Sequence, residues 1–87
     1  MMLKPNDFKR TSPPHHKENQ HYQTANGWLM GWCNITREVG IRSPSGENVT
    51  LAQVVDKPRE AKRLAALYAN DPSTQECKPT ERWVTLR

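Results

Sequence analysis

The chain has 87 residues, enough for one domain and too few for a large core. Thirteen lysines and arginines against nine aspartates and glutamates give a net charge of +4, with three histidines not counted in it. A thin core argues against a deep catalytic cleft, and the positive balance suits a polyanion or an acidic protein face.

Two cysteines are present, Cys33 and Cys77, and neither belongs to a Cys-x-x-Cys pair, which argues against a zinc finger. No apolar stretch precedes a small-residue cleavage site near the N-terminus, and nowhere do about 18 apolar residues run together. The expectation is a cytoplasmic protein, without membrane attachment, whose cysteines are free thiols. Asn34-Ile35-Thr36 and Asn48-Val49-Thr50 then match the glycosylation pattern by chance.

In chain order, residues 1 to 25 contain Pro5, Pro13 and Pro14, many Lys, Asn, Gln and His residues, and almost nothing apolar after Phe8. Such a stretch cannot bury enough surface to offset the entropy of ordering. It is expected to be a disordered basic arm over 1–25, followed by a single domain over 26–87.

From Gly27 onward, Trp28, Met30 and Trp32 alternate with Leu29, Gly31 and Cys33, which predicts a strand over about 27–35 that is apolar on both faces. Val39 and Ile41 alternate with Glu38, Gly40 and Arg42, the pattern of a second strand with one dry face. Ser43-Pro44-Ser45-Gly46 places proline second and glycine fourth, which predicts a hairpin turn. Val49, Leu51 and Val55 give a third strand its inward face.

Asp56 is placed to cap a helix that has Pro58 in its first turn and runs over about 57–70. Ala61, Leu64, Ala65 and Tyr68 fall at i, i+3, i+4 and i+7 and form the stripe that faces the sheet. Asn70-Asp71-Pro72 stops the helix, and Trp83-Val84-Thr85-Leu86 is β-prone enough for a short fourth strand at an edge. The expected fold is α+β, a three-stranded antiparallel sheet packed on one helix in the order β-β-β-α.

Catalytic chemistry is not legible. His15, His16 and His21 fall in the expected arm, away from both cysteines, and nothing there supplies the carboxylate or thiolate support of a metal site. No nucleophile with its base and no glycine-rich phosphate loop can be read, so neither a catalytic residue nor a metal or cofactor is expected.

Two features point to binding instead. Lys57, Arg59, Lys62 and Arg63 crowd the first two helical turns, where the macrodipole prefers negative charge, and a solvated face with local ion pairs is the plain alternative to an anion site. If Leu29, Cys33 and Ile35 face inward, then Trp28, Met30 and Trp32 face outward as an exposed aromatic patch beside Arg42; in the opposite register they are core.

The run from Ile41-Arg42-Ser43-Pro44-Ser45-Gly46 through Val49, Leu51 and Asp56 to Arg59-Glu60-Ala61 and Ala65-Ala66-Leu67-Tyr68-Ala69 resembles the second half of plant ethylene-response-factor DNA-binding domains. It is similar also to the arm-type DNA-binding domains of phage tyrosine integrases. Both families back a three-stranded sheet with one helix and insert the sheet into the major groove. The resemblance covers about 30 residues on motifs that recur widely. Those families carry several arginines on the reading face, whereas only Arg37 and Arg42 are available here. In size and style the chain also resembles phage and prophage accessory proteins, anti-CRISPR proteins among them.

Three readings follow. The first is a non-enzymatic accessory or inhibitor protein of a phage or mobile element, which binds a host or phage protein with an acidic surface, or a nucleoprotein complex. Trp28, Met30 and Trp32 are its expected anchors, and Arg37, Arg42, Arg59, Lys62 and Arg63 its charged contacts. The second is a DNA-binding protein in which Arg37, Arg42, Lys4, Lys9, Arg10, Lys17 and Lys57 contact phosphates. The third is a homodimer joined through the aromatic strand.

Overall fold

A single six-stranded antiparallel sheet, its strands in sequential order, carries one helix on one face in the computed structural model of the chain, which describes residues 2–11 and 19–79. The strands are β1 (Lys9–Arg10), β2 (Asn19–Gln23), β3 (Leu29–Cys33), β4 (Val39–Arg42), β5 (Asn48–Leu51) and β6 (Cys77–Pro79), and the helix is α1 (Pro58–Asn70). Short 3-10 turns at Pro5–Asp7 and Pro72–Thr74 precede β1 and follow α1. The class is α+β, as expected, but the sheet has twice the expected strands. The strand expected at 83–86 lies outside the described residues.

Two loops of identical design hold one end of the sheet. In residues 24–28 the amide of Gly27 donates to the Thr24 carbonyl, and that of Thr24 to Trp28; in residues 43–47, Gly46 donates to Ser43 and Ser43 to Glu47. Each is a three-residue hairpin loop closed by a glycine with positive φ, 101° at Gly27 and 100° at Gly46. The hydroxyls of Thr24 and Ser43 accept the amides of Trp28 and Glu47, which repeats the same side-chain brace. The hairpin expected at 43–46 is present, and its twin at 24–27 escaped the sequence reading.

The register decides which residues form the core. Met30 opposes Tyr22 on β2 and Ile41 on β4, Ile41 opposes Val49, and Trp32 opposes Val39, so these residues share one face. Ala61, Leu64, Ala65, Ala66 and Tyr68 of α1 pack on that face, and the cluster also takes in Phe8, Leu51 and Val55. The helix stripe is the expected one with Ala66 added.

Three expectations are corrected by this packing. Met30 and Trp32 point inward to the helix, Met30 being wholly buried at 0% exposure, because β3 pairs with β4 in the register that matches them to Ile41 and Val39. Ile35, expected inward, stands 63% exposed in the β3–β4 turn. The stretch expected to be an arm supplies β1, β2 and the buried Phe8 and Tyr22. Its inward positions on β2 are Gln20 and Tyr22, and the neighbouring Thr24 is buried too, so no period-two apolar signal reaches the sequence.

Both sheet edges are blunt. β1 is two charged residues long, and β6 is three residues long and contains Pro79, which has no amide proton to offer another strand. No helix among the described residues is long and apolar enough to cross a membrane.

Candidate binding surface

Arg10 and Lys62 come from segments 52 positions apart and meet at one tyrosine. Arg10 opposes Tyr22 in the β1–β2 register and so stands on the helix face of the sheet. The Lys62 ammonium, one turn into α1, lies 5.5 Å from the centroid of the Tyr22 ring, a cation–π contact that contributes about 1 kcal/mol in such a half-buried setting. The Tyr22 hydroxyl donates to Gln20 Oε1 at 2.7 Å, which fixes the ring between its neighbours. Burial pushes the Tyr22 phenol above its ordinary value of 10.0, and the Arg10 guanidinium pulls it partly back.

Arg59 lies one turn before Lys62 on the same side of α1, and Arg63 is adjacent and exposed. Arg10 and Lys62 thus form a basic flank where α1 overlooks the β1 edge, and Arg59 and Arg63 continue the positive charge onto the exposed side of the helix. Among the described residues the sole ion pair is Arg37 with Asp56, at 3.1 Å, so these four charges are not neutralised there. Sequence reasoning named all four but missed Tyr22 and Gln20, whose only signal was a lone aromatic in a polar run.

The start of α1 differs from expectation. Lys57 takes the N-cap position without a side-chain cap, and Asp56 is drawn instead to Arg37. Both partners are exposed, so that pair contributes little to stability. Arg37 itself adopts φ 65°, a left-handed conformation that costs a side-chain-bearing residue about 1 kcal/mol. Its carbonyl accepts the Val55 amide at 3.0 Å, and the Trp32 indole donates to the Val55 carbonyl at 3.0 Å, which ties the β3–β4 turn to the loop before α1.

The remaining candidates are scattered. Arg42 lies on the face away from the helix, in one row with Lys9, Gln23, Leu29 and Asn48. Lys4 is exposed before the first 3-10 turn, while Lys17, His15 and His16 lie outside the described residues. Trp28 is half-buried, packs against the core and meets the Tyr68 ring edge-on at 6.3 Å. Of the expected aromatic patch, two members are core and the third is wedged against it.

The face opposite the helix is the one that the ethylene-response-factor and integrase resemblances would place in a DNA groove. His21 opposes Gly31 on this face and is 1% exposed. The same register puts His21 on the face of Cys33, correcting the expected separation of histidines from cysteines. Among the described residues no three His, Cys, Asp or Glu side chains are grouped to hold a metal ion.

Comparison of the chain with protein-family models, with curated proteins and with solved structures gives no match in any of the three.

Proposed function

We propose that this chain is a non-enzymatic protein that binds a polyanion of the nucleic-acid backbone kind through Arg10, Arg59, Lys62 and Arg63. The observation that supports the reading most is the convergence of Arg10 and Lys62 on Tyr22 with no carboxylate paired to either among the described residues. Stabilising the fold does not require four unpaired cations on this flank and the helix side that continues it, and a row of phosphates would neutralise them.

Each phosphate contact releases counterions, so the logarithm of affinity should fall linearly with the logarithm of salt concentration. Four contacts give a slope of about −3 to −4 on duplex DNA. Titrating the protein with a mixed-sequence duplex at a series of salt concentrations reads that slope. Absence of binding at low salt, or an affinity indifferent to salt, would overturn the proposal.

A protein partner with an acidic surface is the second reading, in keeping with the style of mobile-element accessory proteins. Its expected anchors Met30 and Trp32 are core, so it would rest on charge and on the exposed Ile35 and Val54 instead. Its binding would show a shallower salt slope and a preference for one protein over any nucleic acid.

A further inference from the structure

The end of the sheet opposite the two glycine loops carries a groove of about 350 Å³ lined by Glu38, Thr50, Ala52, Val54, Glu76 and Lys78, among others. Glu76 opposes Ala52, whose amide donates to the Glu76 carbonyl at 2.8 Å, and the β4–β5 register carried on by two residues sets Glu38 opposite Ala52 on the other side. Two carboxylates therefore flank a small side chain across three strands, roughly 10 Å apart at the backbone. Neither makes an ion pair among the described residues. Val54, 50% exposed, forms part of the wall, and Ile35 stands in the turn tied to the Val54 loop.

The helix presents the complement. Arg59, Arg63 and Leu67 recur at i, i+4 and i+8 along its exposed side, and Leu67 is one of the few large apolar residues left in solvent. The two guanidiniums leave the helix about 6 Å apart. Their long stems span the difference to the carboxylates, and Ala52 between them leaves room for a helix to approach.

We propose that a second copy of this chain docks in the groove, its α1 setting Arg59 and Arg63 against Glu38 and Glu76, and Leu67 against Val54. Donor and acceptor surfaces are different patches of one molecule. The contact is heterologous and adds copies head to tail, or closes into a ring if the rotation allows. It goes beyond polyanion binding and is separable from it, because Arg10 and Lys62 belong to the flank alone and Glu38 and Glu76 to the groove alone.

The test is sedimentation of the nucleic-acid-free full chain over a wide range of protein concentration, at low and high salt. Mass should rise with concentration at low salt and return to the monomer at high salt. Glu38→Arg with Glu76→Arg should give a folded monomer by circular dichroism, and so should Arg59→Glu with Arg63→Glu. An equimolar mixture of the two variants should recover association, since opposite charges then meet at each junction, wild-type at one and exchanged at the next. Arg10→Gln with Lys62→Gln should leave the mass unchanged while weakening DNA binding. If a reversal variant unfolds, Glu38→Gln with Glu76→Gln replaces it with the same expected loss of association. A wild type monomeric at every concentration, association untouched by the substitutions, or a mixture that stays monomeric would each overturn the proposal.

Discussion

The two ends of the sheet are built on different terms. At one end, residues 24–28 and 43–47 use the same closure, with a glycine at the left-handed position and a hydroxyl bracing the loop. At the other end an arginine takes the left-handed conformation, its charge is spent on an exposed aspartate, and Ile35 and Val54 stand in solvent. The first end uses the residue types that minimise backbone strain. The second holds side chains that stability alone does not call for, and that is where a selective pressure other than folding is most easily inferred.

The largest test of this contrast is Trp32→Ala. It removes a core side chain and the indole bond to Val55 that ties the second end together. The expected loss is about 3–5 kcal/mol, enough to unfold a domain this small, and denaturant melts would read it. Trp32→Phe keeps most of the volume and should cost much less. A folded Trp32→Ala protein of near wild-type stability would mean that the residue is not core.

Next come the glycines. Gly27→Ala and Gly46→Ala should each destabilise by about 1–2 kcal/mol, because the alanine is forced to a positive φ. Gly27 should be the more sensitive, since a Cβ there also meets Pro44 at 3.4 Å whereas one at Gly46 meets nothing. Arg37→Gly should go the other way at the opposite end, raising stability by up to about 1 kcal/mol as the strain is relieved and a weak ion pair is lost. A destabilised Arg37→Gly would mean that the arginine is there for the fold.

How much of this was legible in the sequence follows from the same residues. Pro44 and Gly46 announce their turn, and the spacing of Ala61, Leu64, Ala65 and Tyr68 announces the helix, because each signal is local. The orientation of β3 is not local. Leu29 and Met30, or Trp32 and Cys33, offer apolar groups to either side, and only pairing with Val39 and Ile41 selects between them. β2 hides for a different reason: one tyrosine faces the helix, and the other inward position is the polar Gln20, which bonds to that tyrosine. The basic flank shares that fate, since Arg10 looked like part of a tail until β1 and β2 brought it beside Lys62.

The smallest effect lies at high pH. Burial raises the Tyr22 phenol, and burial together with Cys77 and Glu47 raises that of Tyr68. A folded-state value above the unfolded one makes a stability contribution that is fully present below the ordinary value and is lost as pH rises through the raised one. Melts should therefore be flat across neutral pH as far as these groups are concerned, and fall above a pH of about 10. Tyr68→Phe should flatten that alkaline fall; an unchanged fall would assign it to other groups.

The most direct measurement of the central claim is a map of backbone amide NMR shifts on adding a mixed-sequence DNA duplex at low salt. The shifts should concentrate at Arg10, Gln20, Tyr22 and the first two turns of α1, and fade with added salt. Shifts centred on Gly31, Gly40 and Arg42 would place the ligand on the opposite face and contradict the proposed role of the basic flank.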